Sequence, residues 1–314
     1  MEDINLFFSQ VQETLNSNLI IWYCIAAFFG TCLASCIGLI VARTPKLIYW
    51  QYEQEVNGFL KERGKEKQFE ETKKPDGYWF PSSRCDSCNH TLKLWHNIPI
   101  ISWFLLRGKC GFCGTKIPFS TVFIEIAGAL SGYLLAMYAG VTPMVFLWLI
   151  ALGVLTAIIW IDWNIGLIPD NMVMPLLWGG ILLSYLYGDN IHVIDLKTSI
   201  LGVMTGYLIL WGANVLSLIL FRKPGMGEGD WKLLAALGAW FGATWVLHGF
   251  IVSLALGIIS HFIHKYQINK KMEKDSTFVD GGFPFGPSLA LGVLIAYIIS
   301  YFHIFENWPL SLYY

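Results

Sequence analysis

The chain has 314 residues, of which 55% are hydrophobic and only 14% charged, with a mean hydropathy of +0.53. Ordinary globular domains carry about 25% charged residues, so this composition cannot cover a water-facing surface, and a wholly soluble protein is excluded. A net charge of −1 gives no support to a nucleic-acid partner.

Residues 1–18 contain Glu2, Asp3 and Glu13 and no basic residue. The first apolar run therefore lacks the positive flank of a cleaved signal peptide and is expected to remain as an anchor. Crossing roughly 30 Å of hydrocarbon takes about 20 apolar residues. Apolar runs of about that length predict eight spans, at 19–42, 119–138, 144–161, 171–187, 198–221, 232–244, 246–263 and 288–304. The sixth is the shortest, and the count falls to seven if 232–263 is re-entrant.

Of 21 Lys and Arg, 13 lie between Arg43 and Lys116, the one long polar segment. Basic residues in short loops mark the cytosolic side. With 43–118 inside, Arg222, Lys223, Lys232, Lys265, Lys270, Lys271 and Lys274 also fall inside, and outside loops keep only Lys197.

Cys24, Cys32 and Cys36 sit in the first span, where small apolar side chains pack well. The remaining four form Cys85-Asp-Ser-Cys88 and Cys110-Gly-Phe-Cys113. Each pair puts two sulfurs on a tight turn, and four thiolates complete a tetrahedron around a structural zinc ion. Two disulfides are the alternative, which a reducing cytosol opposes. His96, between the pairs, is not needed as a ligand. Upstream, Gln51–Lys74 is rich in Glu and Lys with Tyr52, Val56 and Leu60 at helical spacing, which predicts a solvated amphipathic helix followed by a flexible stretch.

Cys-x-x-Cys, then Asn97-Ile98-Pro99, Ser102-Trp103, Leu106-Arg107-Gly108-Lys109-Cys110, Cys113 and Glu125 resembles the cytosolic loop of bifunctional type IV prepilin peptidases, the leader peptidase/N-methyltransferases. Ala34–Pro45 resembles the family segment Gly-Ser-Phe-Leu-Asn-Val-Val-Ile-x-Arg-Leu-Pro, with Ala34 in place of Gly and Gly38 in place of Asn. The family's Arg-Tyr-Pro is replaced by Ser120-Thr121-Val122. Glu125, inside the second span, is an ionisable group that needs a partner or a function.

Acidic residues beside apolar spans are costly and are functional candidates. Asp162 ends the third span in Ile161-Asp162-Trp163-Asn164-Ile165-Gly166-Leu167-Ile168-Pro169-Asp170, and Asp230 lies in Gly225-Met226-Gly227-Glu228-Gly229-Asp230-Trp231-Lys232. The histidines, His90, His96, His192, His248, His261, His264 and His303, show no suggestive pairing with a serine. Two nearby carboxyls cannot both ionise readily, so one proton is shared. The charged member then deprotonates water while the neutral one polarises a scissile carbonyl. The glycines permit an extended strand to approach; equally, they form a flexible connector with Asp230 as a helix cap. Asp170, after Ile168-Pro169, is expected to cap the next span, and Glu228 and Lys232 to position the second motif.

The Gly-x-Gly-Asp segment resembles the second catalytic motif of prepilin peptidases, and Ile161-Asp162 the first. Pro284-Phe285-Gly286-Pro287 also matches. The resemblance implies an all-α polytopic membrane protein of the bacterial inner membrane, with Asp162 and Asp230 as the catalytic pair. It divides the chain into an anchor (1–42), a loop bearing the four-cysteine zinc site and associated with methylation (43–118), and a peptidase domain (119–314). Implied substrates are type IV prepilins and type II secretion pseudopilins, cut after Gly at the cytosolic face. Implied too is methylation of the new N-terminus by S-adenosylmethionine. A membrane transporter or assembly scaffold with a zinc-stabilised docking loop is the rival reading.

Overall fold

The computed structural model describes residues 12–66, 68–70, 72–77, 84, 85, 87–188, 193–272 and 283–301. Glu2, Asp3, Asp86, His192, Lys274, His303 and the end of the last predicted span lie outside the described residues. Among the described residues the chain is helical, with two isolated β-bridges, Arg84 to Thr91 and Lys109 to Lys116. The helices are α1 (Leu19–Glu62), a short 3-10 turn (Leu94–Asn97), α2 (Ile101–Leu105), α3 (Phe119–Ala139), α4 (Met144–Ile165), α5 (Asp170–Tyr187), α6 (Leu196–Phe221), α7 (Glu228–Met272) and α8 (Gly286–Tyr301). Five of them, α1, α3, α4, α6 and α7, are long and apolar enough to cross a membrane; α8 is apolar but shorter. Large apolar side chains stand exposed along them, among them Phe28, Ile219 and Phe221, as expected where lipid is the solvent. The chain is therefore a polytopic membrane protein.

Two compact units divide at Gly153: residues 1–153 and 154–314. In the first, α1 corrects the expectation of a span ending near 42 and a separate helix from 51. It runs unbroken for 44 residues through Pro45, about 66 Å at 1.5 Å per residue, twice what hydrocarbon requires. Thr44 Oγ1 donates to the Ile40 carbonyl at 2.7 Å beside the proline. Nor is the stretch that follows free of α1. Asn57 Oδ1 accepts the N–H groups of Gln68 and Phe69, Trp50 Nε1 donates to the Thr72 carbonyl, and Arg43 Nη1 to the Gly77 carbonyl. Partner numbers fall along α1 as the numbers of the following stretch rise, so Gln68, Phe69, Thr72 and Gly77 lie back along the helix that precedes them.

Helices α1 and α3 meet through small residues. Ala26, Gly30 and Ala34 recur every fourth position on α1 against Gly128 and Gly132 of α3; a Cβ added to Gly128 would lie 2.6 Å from the Ala34 Cβ and overlap the Gly30 carbonyl. Close backbone approach of this kind replaces the hydrophobic drive that lipid removes. Trp22, Ala26, Ala136, Val145 and Leu149 form the core beside it. The in-span cysteines do not share it: Cys24 and Cys36 are exposed, because the packed stripe of α1 runs through Ala26, Gly30 and Ala34 instead.

In the second unit the first half of α7 is the central element. Leu233, Leu234, Ala235, Ala236, Leu237 and Ala239 are all buried, with α5, α6 and α8 packed against the helix. A helix apolar all round is one enclosed by protein. The expected sixth and seventh spans are the two parts of α7, parted at Gly242, whose φ of 79° and ψ of 171° break the helix. A Cβ there would be strained by that φ and would sit 2.7 Å from Thr198 Cγ2.

Candidate functional site

Asp162 lies near the end of α4 on the face of Ile158 and Ile161, both fully buried, and is itself 3% exposed. Its Oδ2 accepts the Gly286 N–H at 2.9 Å. Gly286 opens α8, so a helix N-terminus points at this carboxyl, a favourable setting for negative charge. A Cβ on Gly286 would come within 2.7 Å of Oδ2; the residue between Phe285 and Pro287 is small because the carboxyl occupies that space.

Asp230 lies in the first turn of α7, 9% exposed, with its N–H donating to the Gly227 carbonyl at 3.3 Å. Gly229 packs against Ile168, where a Cβ would approach to 2.6 Å. The loop-to-helix turn of the second motif thus rests on the loop that follows the first. Asp162 and Asp230 line one cavity of about 860 Å³, together with Asp170, Glu228, Lys232, Phe250, Leu254, Phe283 and Phe285. Four acidic side chains and one ammonium line it, along with aromatic and aliphatic side chains.

Asp170 is not the helix cap that its position suggests. Pro169 holds the cap position, and Asp170 is the first helical residue. Its Oδ2 instead receives Lys232 Nζ at 2.7 Å, while Glu228 stands 3.9 Å from the same ammonium. Lys232 thereby ties the start of α5 to the start of α7.

In the other unit, the four knuckle cysteines are thiols whose sulfurs all lie within 4.8 Å of one another. Both turns share one pattern: Cys85 N–H donates to the His90 carbonyl and Asn89 N–H to the Cys85 carbonyl; Cys110 N–H donates to the Thr115 carbonyl and Gly114 N–H to the Cys110 carbonyl. Asn89 and Gly114, each just past its second cysteine, adopt positive φ. The Cys85 and Cys113 sulfurs are 3.8 Å apart, and a zinc tetrahedron with bonds of about 2.3 Å has edges of about 3.8 Å. Four thiolate donors in this arrangement fit a closed, structural metal site. His96 is not among the donors; its Nδ1 accepts the Lys93 N–H at 3.1 Å, and its ring packs on Trp95 and Phe112.

Glu125 finds its partner in the same unit. Its Oε2 accepts the Ile100 N–H at 2.6 Å, and it is 6% exposed. Ile100 has φ of 62° and ψ of −55°, and the Ile101 N–H donates to the Pro99 carbonyl at 2.6 Å across it. A γ-turn at a β-branched residue is strained, and the buried carboxyl holds it in place. No sequence signal marked this contact beyond the apolar setting of Glu125.

Two family models match the chain: the bacterial peptidase A24 N-terminal domain over residues 28–139 and the type IV leader peptidase family over residues 149–262. Among curated relatives, a prepilin leader peptidase/N-methyltransferase of Stutzerimonas stutzeri is 32% identical over 90% of this chain and 93% of its own length. Another of that name from Aeromonas hydrophila is 30% identical over 88% and 90%. A third, from Dichelobacter nodosus, is 35% identical over 69% and 71%. No solved structure matches the chain.

Proposed function

The chain belongs to the type IV leader peptidase family, and on that footing we propose that it is a membrane aspartic peptidase that removes the leader of type IV prepilins or type II secretion pseudopilins and methylates the new N-terminus. The observation that carries this reading is the meeting of Asp162 and Asp230, from two helices, in one cavity. The charged member of the pair takes a proton from water, whose oxygen attacks the scissile carbonyl. The neutral member gives its proton to the carbonyl oxygen. Collapse of the tetrahedral species breaks the C–N bond, and the departing amine takes up a proton from the pair. The polarity of the cavity supports the substrate class. Its carboxylates suit a basic leader, and Phe250, Leu254, Phe283 and Phe285 suit the apolar segment that follows a cut after Gly.

Membrane helices at each of the eight apolar runs, with Gly242 parting the sixth from the seventh, would place the basic clusters and both aspartates at the cytosolic face of the bacterial inner membrane. Residues 43–118 form the loop associated with methylation, and 119–314 the peptidase. Cys85, Cys88, Cys110 and Cys113 hold zinc, whose role is to fix the two turns. S-adenosylmethionine supplies the methyl group.

Incubating the purified protein with a peptide carrying a basic leader, Gly, Phe and an apolar run tests this reading. Mass spectrometry should find a cut after Gly and, with the methyl donor present, a product 14 Da heavier per methyl group, about the mass of one CH₂. Intact peptide with the wild-type protein would refute it.

A further inference from the structure

The Gly-rich turn that carries Asp230 is not held by its own glycines. Residues 214 and 217 are three apart and so share one face of the last turns of α6. Asn214, 7% exposed, accepts the Gly225 N–H on its Oδ1 at 2.8 Å. Ser217 Oγ donates to the Lys223 carbonyl at 3.0 Å. Between them the chain reverses at Arg222, which has φ of 54° and ψ of 27° and whose N–H donates to the Leu218 carbonyl at 3.0 Å. Gly225 lies so close to Ser217 that an added Cβ would be 3.1 Å from both its Cβ and Oγ. Two residues on, the Gly227 carbonyl accepts the Asp230 N–H, and a Cβ on Gly227 would be 3.7 Å from Asp230 Oδ2.

We propose that Asn214 and Ser217 are positioning residues for peptide cleavage: they clamp residues 223–225 onto α6 and so fix the turn from which the Asp230 carboxyl is presented to Asp162. The inference rests on the peptidase reading above. The physical need is plain. A loop with glycine at 225, 227 and 229 has many accessible conformations, yet a carboxyl pair works only when held within a fraction of an ångström of its productive geometry. A buried amide whose oxygen meets a loop N–H supplies that restraint at the loop's midpoint, and the serine supplies it at the entry. Neither residue belongs to the Gly-x-Gly-Asp segment, and neither lines the cavity, so both act through the backbone and not on substrate.

The test is steady-state cleavage of the leader peptide by the full chain carrying Asn214→Ala, Ser217→Ala or Asn214→Asp, with the thermal midpoint of each. Misplacing one carboxyl should lower kcat on the order of tenfold to a hundredfold in Asn214→Ala, with a smaller fall in Ser217→Ala. KM should stay within about twofold, because Phe250, Leu254, Phe283 and Phe285 are untouched. Asn214→Asp keeps an acceptor oxygen in place and should restore most of kcat. Wild-type kcat in both alanine variants overturns the proposal, as does equal loss in Asn214→Ala and Asn214→Asp. Asp230→Asn, assayed beside them, separates the two claims: if it cleaves normally, the assignment of Asp230 to the catalytic pair fails whatever Asn214 does.

Discussion

Asp170 and Lys232, 62 residues apart, form an ion pair at 2.7 Å that joins the start of α5 to the start of α7. Each sits beside a candidate catalytic segment, Asp170 after the loop that follows Asp162 and Lys232 two residues past Asp230. The pair is partly open to solvent, so its value is in alignment more than in stability. Asp170→Asn and Lys232→Met should each change unfolding free energy by about 0–1 kcal/mol, while lowering cleavage several-fold. A double-mutant cycle on kcat/KM should show coupling between them; strictly additive effects would mean that the two act separately.

Two glycines of the first unit make a matched pair. Gly128 is wedged against Gly30 and Ala34, whereas a Cβ on Gly38 would meet nothing within 4 Å. Gly128→Ala should destabilise by about 1–3 kcal/mol, the usual cost of overpacking. Gly38→Ala should be neutral, or stabilising by up to about 1 kcal/mol through helix propensity. Thermal unfolding in detergent reads both, and equal effects at the two positions would contradict the α1–α3 packing.

Asp195 caps α6. Its Oδ1 accepts Thr198 Oγ1 at 2.6 Å and its Oδ2 the Thr198 N–H at 3.1 Å, and these bonds hold its carboxyl below the usual range. A folded-state pKa below the unfolded one stabilises fully above the unfolded value of about 3.9, and the gain is lost as pH falls through the folded value. Asp195→Ala should cost about 1 kcal/mol at neutral pH. The gap to wild type should close below about pH 4. A gap that stays constant from neutral pH into acid would rule out the carboxylate as the cap.

The paired knuckles should hold about one zinc per chain in a closed four-sulfur site. The double variant Cys85→Ser/Cys113→Ser should lose the metal by elemental analysis and become more sensitive to trypsin at Lys93 and Lys109. Full metal content in that variant would show that the ion is held elsewhere.

Much of this was legible in local sequence, for identifiable reasons. Two Cys-x-x-Cys pairs specify their turns by spacing, and Asp162 and Asp230 stand out because carboxyls beside apolar runs are rare. Long-range contacts left no such trace. The first span read as ending at 42, yet α1 passes on through Pro45, since a single proline removes one hydrogen bond and the flanking turns keep the rest. The end of Gln51–Lys74 read as flexible from its charge; Gln68, Phe69 and Thr72 there are held by Asn57 and Trp50, and Gly77 beyond it by Arg43, residues with no local pattern. Asp170 read as a cap because it precedes a helix, and only the fold brings Lys232 to it. The Gly286 N–H on Asp162, 124 residues away, was equally hidden.

The account depends most on Asp162 and Asp230 acting as one unit, and turnover of the leader peptide by Asp162→Asn, Asp230→Asn and the double variant tests that directly. Groups that share a single step are strongly non-additive, so each single change should abolish cleavage and the double variant should be no slower than either. Substantial turnover in one single variant, or losses that multiply in the double, would mean that the two carboxyls do not work on the same proton.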